Sequence, residues 1–296
     1  MNETLASRLA AQLERPVKPE VAAFARQLAE ASGACAALFY GSNLRTGELD
    51  GVLDFYLLLP GPQRDRIWPR VSYHECVTEG LTLRAKVATM ALETFARACR
   101  GESRDTTIWA RFVQPSALVF AADEATRAEI VEAVGAAART AGRLAVALGP
   151  EAGTAQEYWR ALFRATYRAE FRVEQAGRED TILTVNAEHF DGLLPLALTA
   201  EGIGFSRDGD LLRPAMTQEV RQGIVRWWSQ RRRLGKPLNV LRLLKASTTF
   251  EGAARYAAWK IERHTGVPVA VTPWRERHPV LAAPAVLYRV WRARRG

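Results

Sequence analysis

Residues 35–61 decide the fold: CAALFYGSN, then LRTGELDG, then VLDFYLLLPG. The first block reads as a short apolar strand ending in Gly41-Ser42. The middle block is rich in turn residues. The last is apolar almost throughout and closed by Pro60-Gly61, the pattern of a strand central in a sheet. One carboxylate, Asp54, interrupts it. A carboxylate left unpaired in such a strand costs on the order of several kcal/mol. Asp54 therefore either hydrogen-bonds a neighbouring loop or serves chemistry. For the chemical reading the neighbours are suitable. Gly41 lets the backbone approach a phosphate, and the Ser42 hydroxyl and nearby N–H groups can hold its oxygens. A carboxylate on the adjacent strand can bind Mg²⁺ bridging the same phosphates.

Outward from this core, 20–32 (EVAAFARQLAEAS) has helical apolar spacing and stops at Gly33. LTLRAKVATM (81–90) alternates, predicting a strand with Arg84 and Lys86 on one face. ALETFARAC (91–99) reads as a helix, and TIWARFV (107–113) as a further strand, with Arg111 opposite Ile108, Ala110 and Phe112. Alternating strands and helices predict an α/β domain over 1–120. A long helix follows at 123–148, with an acidic first turn and Gly149-Pro150 at its end. Residues 154–174 read as helical and then extended, and REDTILTVN (178–186), led by β-branched residues, is expected to pair with them as a hairpin. The predicted segments are 1–120, a largely helical 121–205 and a basic helical 206–296.

The chain carries a net charge of +9, unevenly spread. From Arg221 to Gly296 there are 17 Lys or Arg and 3 Asp or Glu, out of 41 and 32 in all. That leaves 24 basic and 29 acidic residues in the first 220, so the basicity sits in the last quarter. It suits a polyanion, whether anionic lipid, nucleic acid or nucleotide phosphate, or else a solvated surface. RWWSQRRR (226–233) and the tail from Pro273 mix aromatics with arginine, as interfacial segments do. Trp227, Trp228, Arg231, Arg232, Trp291 and Arg292 are the candidate membrane-facing residues. No uncharged apolar run reaches about 18 residues, so no spanning helix is expected. The N-terminus lacks the basic start and apolar block of a secretory signal. Cys35, Cys76 and Cys99 are too scattered for a disulfide framework or a zinc site, and suit a reducing cytosol. The four histidines, His74, His189, His264 and His278, are equally dispersed and give little support to triad or His-metal chemistry. Heavy Arg and Ala usage fits a GC-rich bacterial coding sequence.

Two further motifs carry charge suited to phosphate. Lys86 would supply a point charge to a triphosphate if its strand face opens on a cleft; otherwise it is an edge-strand lysine. In Tyr167-Arg168-Ala169-Glu170-Phe171-Arg172, an extended chain puts Glu170 and Arg172 on one face. They would bind metal and phosphate respectively, or form a salt bridge.

The strand, Gly-Ser, turn and strand with Asp follow the layout of the polymerase-β-like nucleotidyltransferases. That superfamily usually has two carboxylates on this strand, whereas the same-face neighbours of Asp54 are Val52 and Tyr56. Over 36–264 the motif order resembles the mitochondrial-type phosphatidate cytidylyltransferases, the translocator-assembly-and-maintenance family. The matching pieces are FYGS, GVLDFYLLL, WPRVSYHE, the strand lysine Lys86, TIWARFVQPSALV, FRATYRAEFRV and LLKASTTFEGAARYAAWKIERHTG. Asn43 stands where the family prefers a second glycine, Glu170 where it has Asp, and no lysine follows Arg172 in GREDTILT.

The resemblance implies a polymerase-β-like domain followed by a winged-helix-like element. It implies CTP and Mg²⁺ as co-substrate and metal, and phosphatidic acid as acceptor, at the inner face of a membrane. Asp54 and Glu170 would hold the metal, with Lys86 as a further catalytic residue. Tyr40, Gly41, Ser42, Asn43, Arg111, Tyr167 and Arg172 would bind the nucleotide. A nucleotidyltransferase of the same fold acting on a soluble phosphorylated metabolite, RNA or a protein is the alternative. A lipid- or RNA-binding module without activity is a third.

Overall fold

The computed structural model describes residues 3–78, 80–169, 178–249, 252–277, 281–282, 284–286 and 288. The first half contains α1 (Leu5–Leu13), α2 (Pro19–Ser32), β1 (Ala36–Tyr40), α3 (Ser42–Thr46), β2 (Val52–Leu59), β3 (Arg70–Thr78), β4 (Leu81–Ala91), α4 (Leu92–Cys99), α5 (Thr107–Phe112), β5 (Ser116–Ala121) and α6 (Glu124–Leu148). The second contains β6 (Gly153–Thr154), α7 (Ala155–Ala169), α8 (Arg178–Val185), α9 (Ala187–Phe190), α10 (Leu193–Ala200), β7 (Phe205–Asp208), β8 (Leu211–Pro214), α11 (Gln218–Thr249), α12 (Ala253–Thr265) and α13 (Pro273–Arg277).

The architecture is mixed α/β. Five strands form one sheet in the order β3-β4-β2-β1-β5, with β2 parallel to β4 and every other pairing antiparallel. The apolar run of β2 has a simple cause: it is the middle strand and both its faces are covered. Leu53, Phe55 and Leu57 pack with Phe24 and Leu28 of α2. Tyr56 and Leu58 face the other way, into a core shared with Phe95 of α4, Phe112 of α5 and Ile130 of α6. Gly33, at φ +67°, closes α2 as its position in the sequence suggests. Asp123 caps α6 by accepting the Thr126 N–H at 2.7 Å.

A smaller antiparallel sheet, β6-β8-β7, lies in the second half. The three sequence segments do not have separate cores. Leu38 and Phe95, then Leu144, Trp159 and Leu194, then Trp228 belong to one buried cluster.

Two expected strands are helices. TIWARFV forms α5, because the Asp105 carboxylate accepts the N–H groups of Thr107 and Ile108, at 3.0 and 2.9 Å, and starts a helical turn there. Ile108, Trp109 and Phe112 then bury one helical face, and packing overrides their strand preference. The strand falls three residues later, at β5. REDTILTVN is largely α8. Its acidic first turn is tied to α7 by Arg160–Asp180 at 2.5 Å and Arg164–Glu179 at 3.2 Å, while Ile182 and Leu183 are buried. The edge strand β3 and the N-terminal helix α1 have no counterpart in the sequence reading.

The aromatic-basic run of α11 also differs from expectation. Trp228 is buried, and the rings of Trp227 and Trp228 lie 6.3 and 6.1 Å from that of Trp109. Gly101 makes room, since a Cβ there would meet the Trp227 ring at 2.8 Å. The Arg231 guanidinium stacks 4.1 Å over Trp227 and donates to the carbonyls of Gly101 and Ser103 at 2.8 and 3.1 Å. These three residues dock α11 on the core and do not face a bilayer. Arg232 is exposed. Trp291 and Arg292 lie outside the described residues, and no described helix is long and apolar enough to cross a membrane.

Candidate active site

β1 and β2 pair with Tyr40 opposite Asp54, and β2 and β4 pair with Asp54 beside Lys86. Tyr73 of β3 is the partner of Lys86, and Ser116 of β5 the partner of Tyr40. One row across the sheet therefore reads Tyr73, Lys86, Asp54, Tyr40, Ser116. Immediately after β1 the chain turns at Gly41, φ +90°. A Cβ at this glycine would come within 3.0 Å of Asp54 Oδ2. Only glycine gives both that backbone conformation and that closeness to the carboxylate.

Arg111 reaches the same place from α5. Its guanidinium donates to the Tyr56 hydroxyl at 3.1 Å and lies 5.2 and 5.7 Å from the rings of Tyr40 and Tyr56. Phe112 and Phe95 brace those rings from behind, with Tyr56–Phe112 and Phe95–Phe112 centroids 5.2 and 4.8 Å apart. The result is a fixed cation aimed at the mouth of the row.

A cleft of about 310 Å³ opens there. Tyr40, Gly41, Ser42, Asp54, Arg111 and Tyr167, all expected site residues, line it together. Leu44, Arg45, Gln114, Pro115, Ile182 and Asn186 complete the wall. Sequence reasoning missed these six. Gln114 and Pro115 lie in the quoted TIWARFVQPSALV segment but were not singled out, and α8 brings Ile182 and Asn186 near only because 178–185 is helical.

Burial raises the Asp54 carboxyl above its ordinary value, and the charges of Lys86 and Arg111 oppose the rise. Burial also lowers the Lys86 ammonium, with Asp54 opposing. The Tyr40 hydroxyl is held protonated chiefly by burial. Carboxylate and ammonium sit side by side, each costly to bury and each the other's compensation.

The chain matches no family model and no curated protein sequence.

Among the described residues no group of three His, Cys, Asp or Glu side chains converges, and Asp54 is the acid lining the cleft. Glu170 and Arg172 lie outside the described residues. Asp54, on the wall of an open cleft, is the one described group there that could help hold a Mg²⁺ ion, in the manner of ions bound by one or two carboxylates together with substrate phosphates.

Asn43 is placed differently from expectation. Its side chain donates to the Glu48 carbonyl at 2.9 Å, across the turn between α3 and β2, and it does not line the cleft. An amide this close to its own turn satisfies local backbone, in the manner of an Asx residue.

His189 supports the wall indirectly. Its Nε2 hydrogen-bonds the carbonyl of Val113, next to Gln114 and Pro115, at 2.8 Å, and among the described residues its buried Nδ1 has no partner. Burial lowers its pKa to about 4. The fold thus holds His189 neutral while the unfolded chain protonates near 6.5. Stability from this group is complete above pH 6.5 and is lost as pH falls toward 4, by roughly 3 kcal/mol at most. Urea titrations at pH 7 and 4.5 are expected to differ less for His189→Gln than for the wild type. The same difference in both proteins would remove His189 as the source.

Proposed function

We propose that this chain is a Mg²⁺-dependent nucleotidyltransferase that transfers cytidylyl from CTP to phosphatidic acid, giving CDP-diacylglycerol and pyrophosphate. The observation that carries the reading is the convergence of Gly41, Ser42, Arg111 and Tyr167 on a cleft floored by Asp54, with Lys86 beside that carboxylate. The order β1, Gly41, α3, β2 supports the polymerase-β-like arrangement. The helices α6 and α7, with the sheet β6-β8-β7, support the winged-helix-like element.

In this reading the acceptor oxygen attacks the α-phosphorus, and the bond to the bridging oxygen of the leaving pyrophosphate breaks. A phosphate monoester dianion carries no proton on its attacking oxygen, so no general base is needed. Catalysis is positioning and charge neutralisation. Mg²⁺, when bound, would neutralise phosphate charge. Asp54 would hold it, with Glu170 as the expected second acid. Gly41 and Ser42 would cradle the triphosphate and Arg111 would bind one of its phosphates. Exposed Trp274, Leu281 and Tyr288, on the basic C-terminal region, support a lipid-surface location.

The burial of Trp228 and Arg231, with the half-buried Trp227 packed under the Arg231 guanidinium, favours a second reading, transfer to a soluble phosphorylated metabolite, an RNA end or a protein. Incubation with CTP, Mg²⁺ and each acceptor class separates the two. Product in the lipid phase from phosphatidic acid vesicles is expected. Transfer only to RNA, protein or a soluble phosphate would favour the second reading.

A further inference from the structure

The side of Asp54 away from Gly41 is covered by the C-terminal region. α12 lies against β3 so closely that a Cβ at Gly252, φ +78°, would come within 2.6 Å of the Tyr73 carbonyl oxygen. The rings of Tyr256 and Tyr73 are 5.4 Å apart. Tyr73 is the register partner of Lys86, so α12 stands over the Lys86 end of the row. Lys260 follows Tyr256 by one helical turn, with Nζ 5.8 Å from that ring. It is exposed, and its charge acts on Lys86.

The cations nearby are already compensated. Arg84 and Arg263 lean on the Trp259 ring at 5.5 and 5.3 Å, and pair with Glu75 at 3.4 Å and Asp50 at 3.6 Å. Among the described residues no carboxylate pairs with Lys260. Lys86 and Lys260 thus bring two ammonium charges to one end of the row, a pairing suited to an anion.

We propose that Lys86 and Lys260 form a second anion subsite, on the β4 side of Asp54, that takes the phosphate monoester of the acceptor. The assignment rests on reading the Gly41 side as the nucleotide site. Gly41 and Ser42 lie toward β1 and the lysines toward β4, so two phosphates are held on opposite sides of one carboxylate. That is the disposition an in-line displacement needs, with attacking and leaving oxygens on opposite sides of the α-phosphorus. The step balances without a further reactant: a new phosphorus–oxygen bond forms to the dianionic acceptor, and the old one leaves with pyrophosphate.

The test uses the full chain, wild type and Lys260→Gln, with glycerol 3-phosphate as a soluble monoester titrated calorimetrically in the presence of a non-hydrolysable CTP analogue. The substitution is expected to weaken monoester binding about tenfold, the loss of one charge-assisted contact. Lys260→Arg is expected to restore most of it. In turnover with phosphatidic acid vesicles, KM for the lipid rises while KM for CTP stays constant. Unchanged monoester affinity in Lys260→Gln, or no measurable binding to the wild type, overturns the subsite. A rise in KM for CTP instead assigns the lysine to the nucleotide and overturns it too. If the wild type binds the monoester through Lys260 but makes no CDP-lipid, the subsite stands and the cytidylyltransferase reading fails.

Discussion

Asp54→Asn is expected to lower CTP turnover by roughly 1,000-fold while leaving the fold intact. The substitution keeps the shape of the side chain and removes its charge. Two opposing effects act on stability. Loss of a buried carboxylate removes a desolvation cost, since burial already disfavours the ionised form. Loss of the same charge strips Lys86 of its compensating partner. The two act in opposite directions, so the net change in stability, readable by urea titration, is expected to be smaller than the loss from removing Asp105. The ionised form is the one required, so wild-type activity falls on the acid side as pH drops through a pKa raised above the usual carboxylate range. Near-wild-type kcat in Asp54→Asn would remove this residue from the chemistry.

Asp105→Ala is expected to give the largest loss of stability, about 3–5 kcal/mol. Asp105 is 3% exposed and serves two structures at once. It accepts the first N–H groups of α5, and it pairs with Arg242 of α11 at 2.5 Å, where that guanidinium also lies 5.2 Å over the Trp68 ring. Truncation leaves two backbone donors without their acceptor and strips the half-buried Arg242 guanidinium of its counter-charge, leaving it the Trp68 carbonyl at 2.9 Å. α5 also carries Arg111 into the cleft, so kcat/KM is expected to fall about tenfold in the fraction that remains folded. Asp105→Asn keeps an acceptor for the helix and loses only the charge, and it is expected to cost less than half as much. Equal loss in the two variants would show that the helix cap contributes nothing. Wild-type stability in Asp105→Ala would contradict the link between α11 and α5.

What could be read from the sequence follows a physical division. β1 and β2 were legible because a strand covered on both faces must be apolar throughout, and Gly33 because a left-handed helix end selects glycine. Asp54 stood out against that background for the same reason. Arg111 was identified as a site residue with its local structure misread. TIWARFV has the composition of a strand, and the deciding group, the Asp105 carboxylate, lies just outside the window. β3 escaped because an edge strand carrying Tyr, His, Glu and Cys in alternation has little contrast. In RWWSQRRR the residues supported an interfacial reading, but only the packing of Trp227 and Arg231 onto Gly101 tells which side of α11 is covered. The far wall of the cleft was beyond reach, since Gln114, Ile182 and Asn186 are ordinary residues made relevant by the tertiary fold.

The proposed function stands on transfer of the cytidylyl group of CTP at the cleft around Gly41 and Asp54. Supplying the wild type with Mg²⁺, phosphatidic acid vesicles and CTP labelled at either the α- or the γ-phosphorus tests it most directly. The α-label is expected in the lipid phase and the γ-label in pyrophosphate, with both reduced roughly 1,000-fold in Asp54→Asn. Failure of α-label to reach any acceptor with the wild type, or equal transfer by Asp54→Asn, would contradict it.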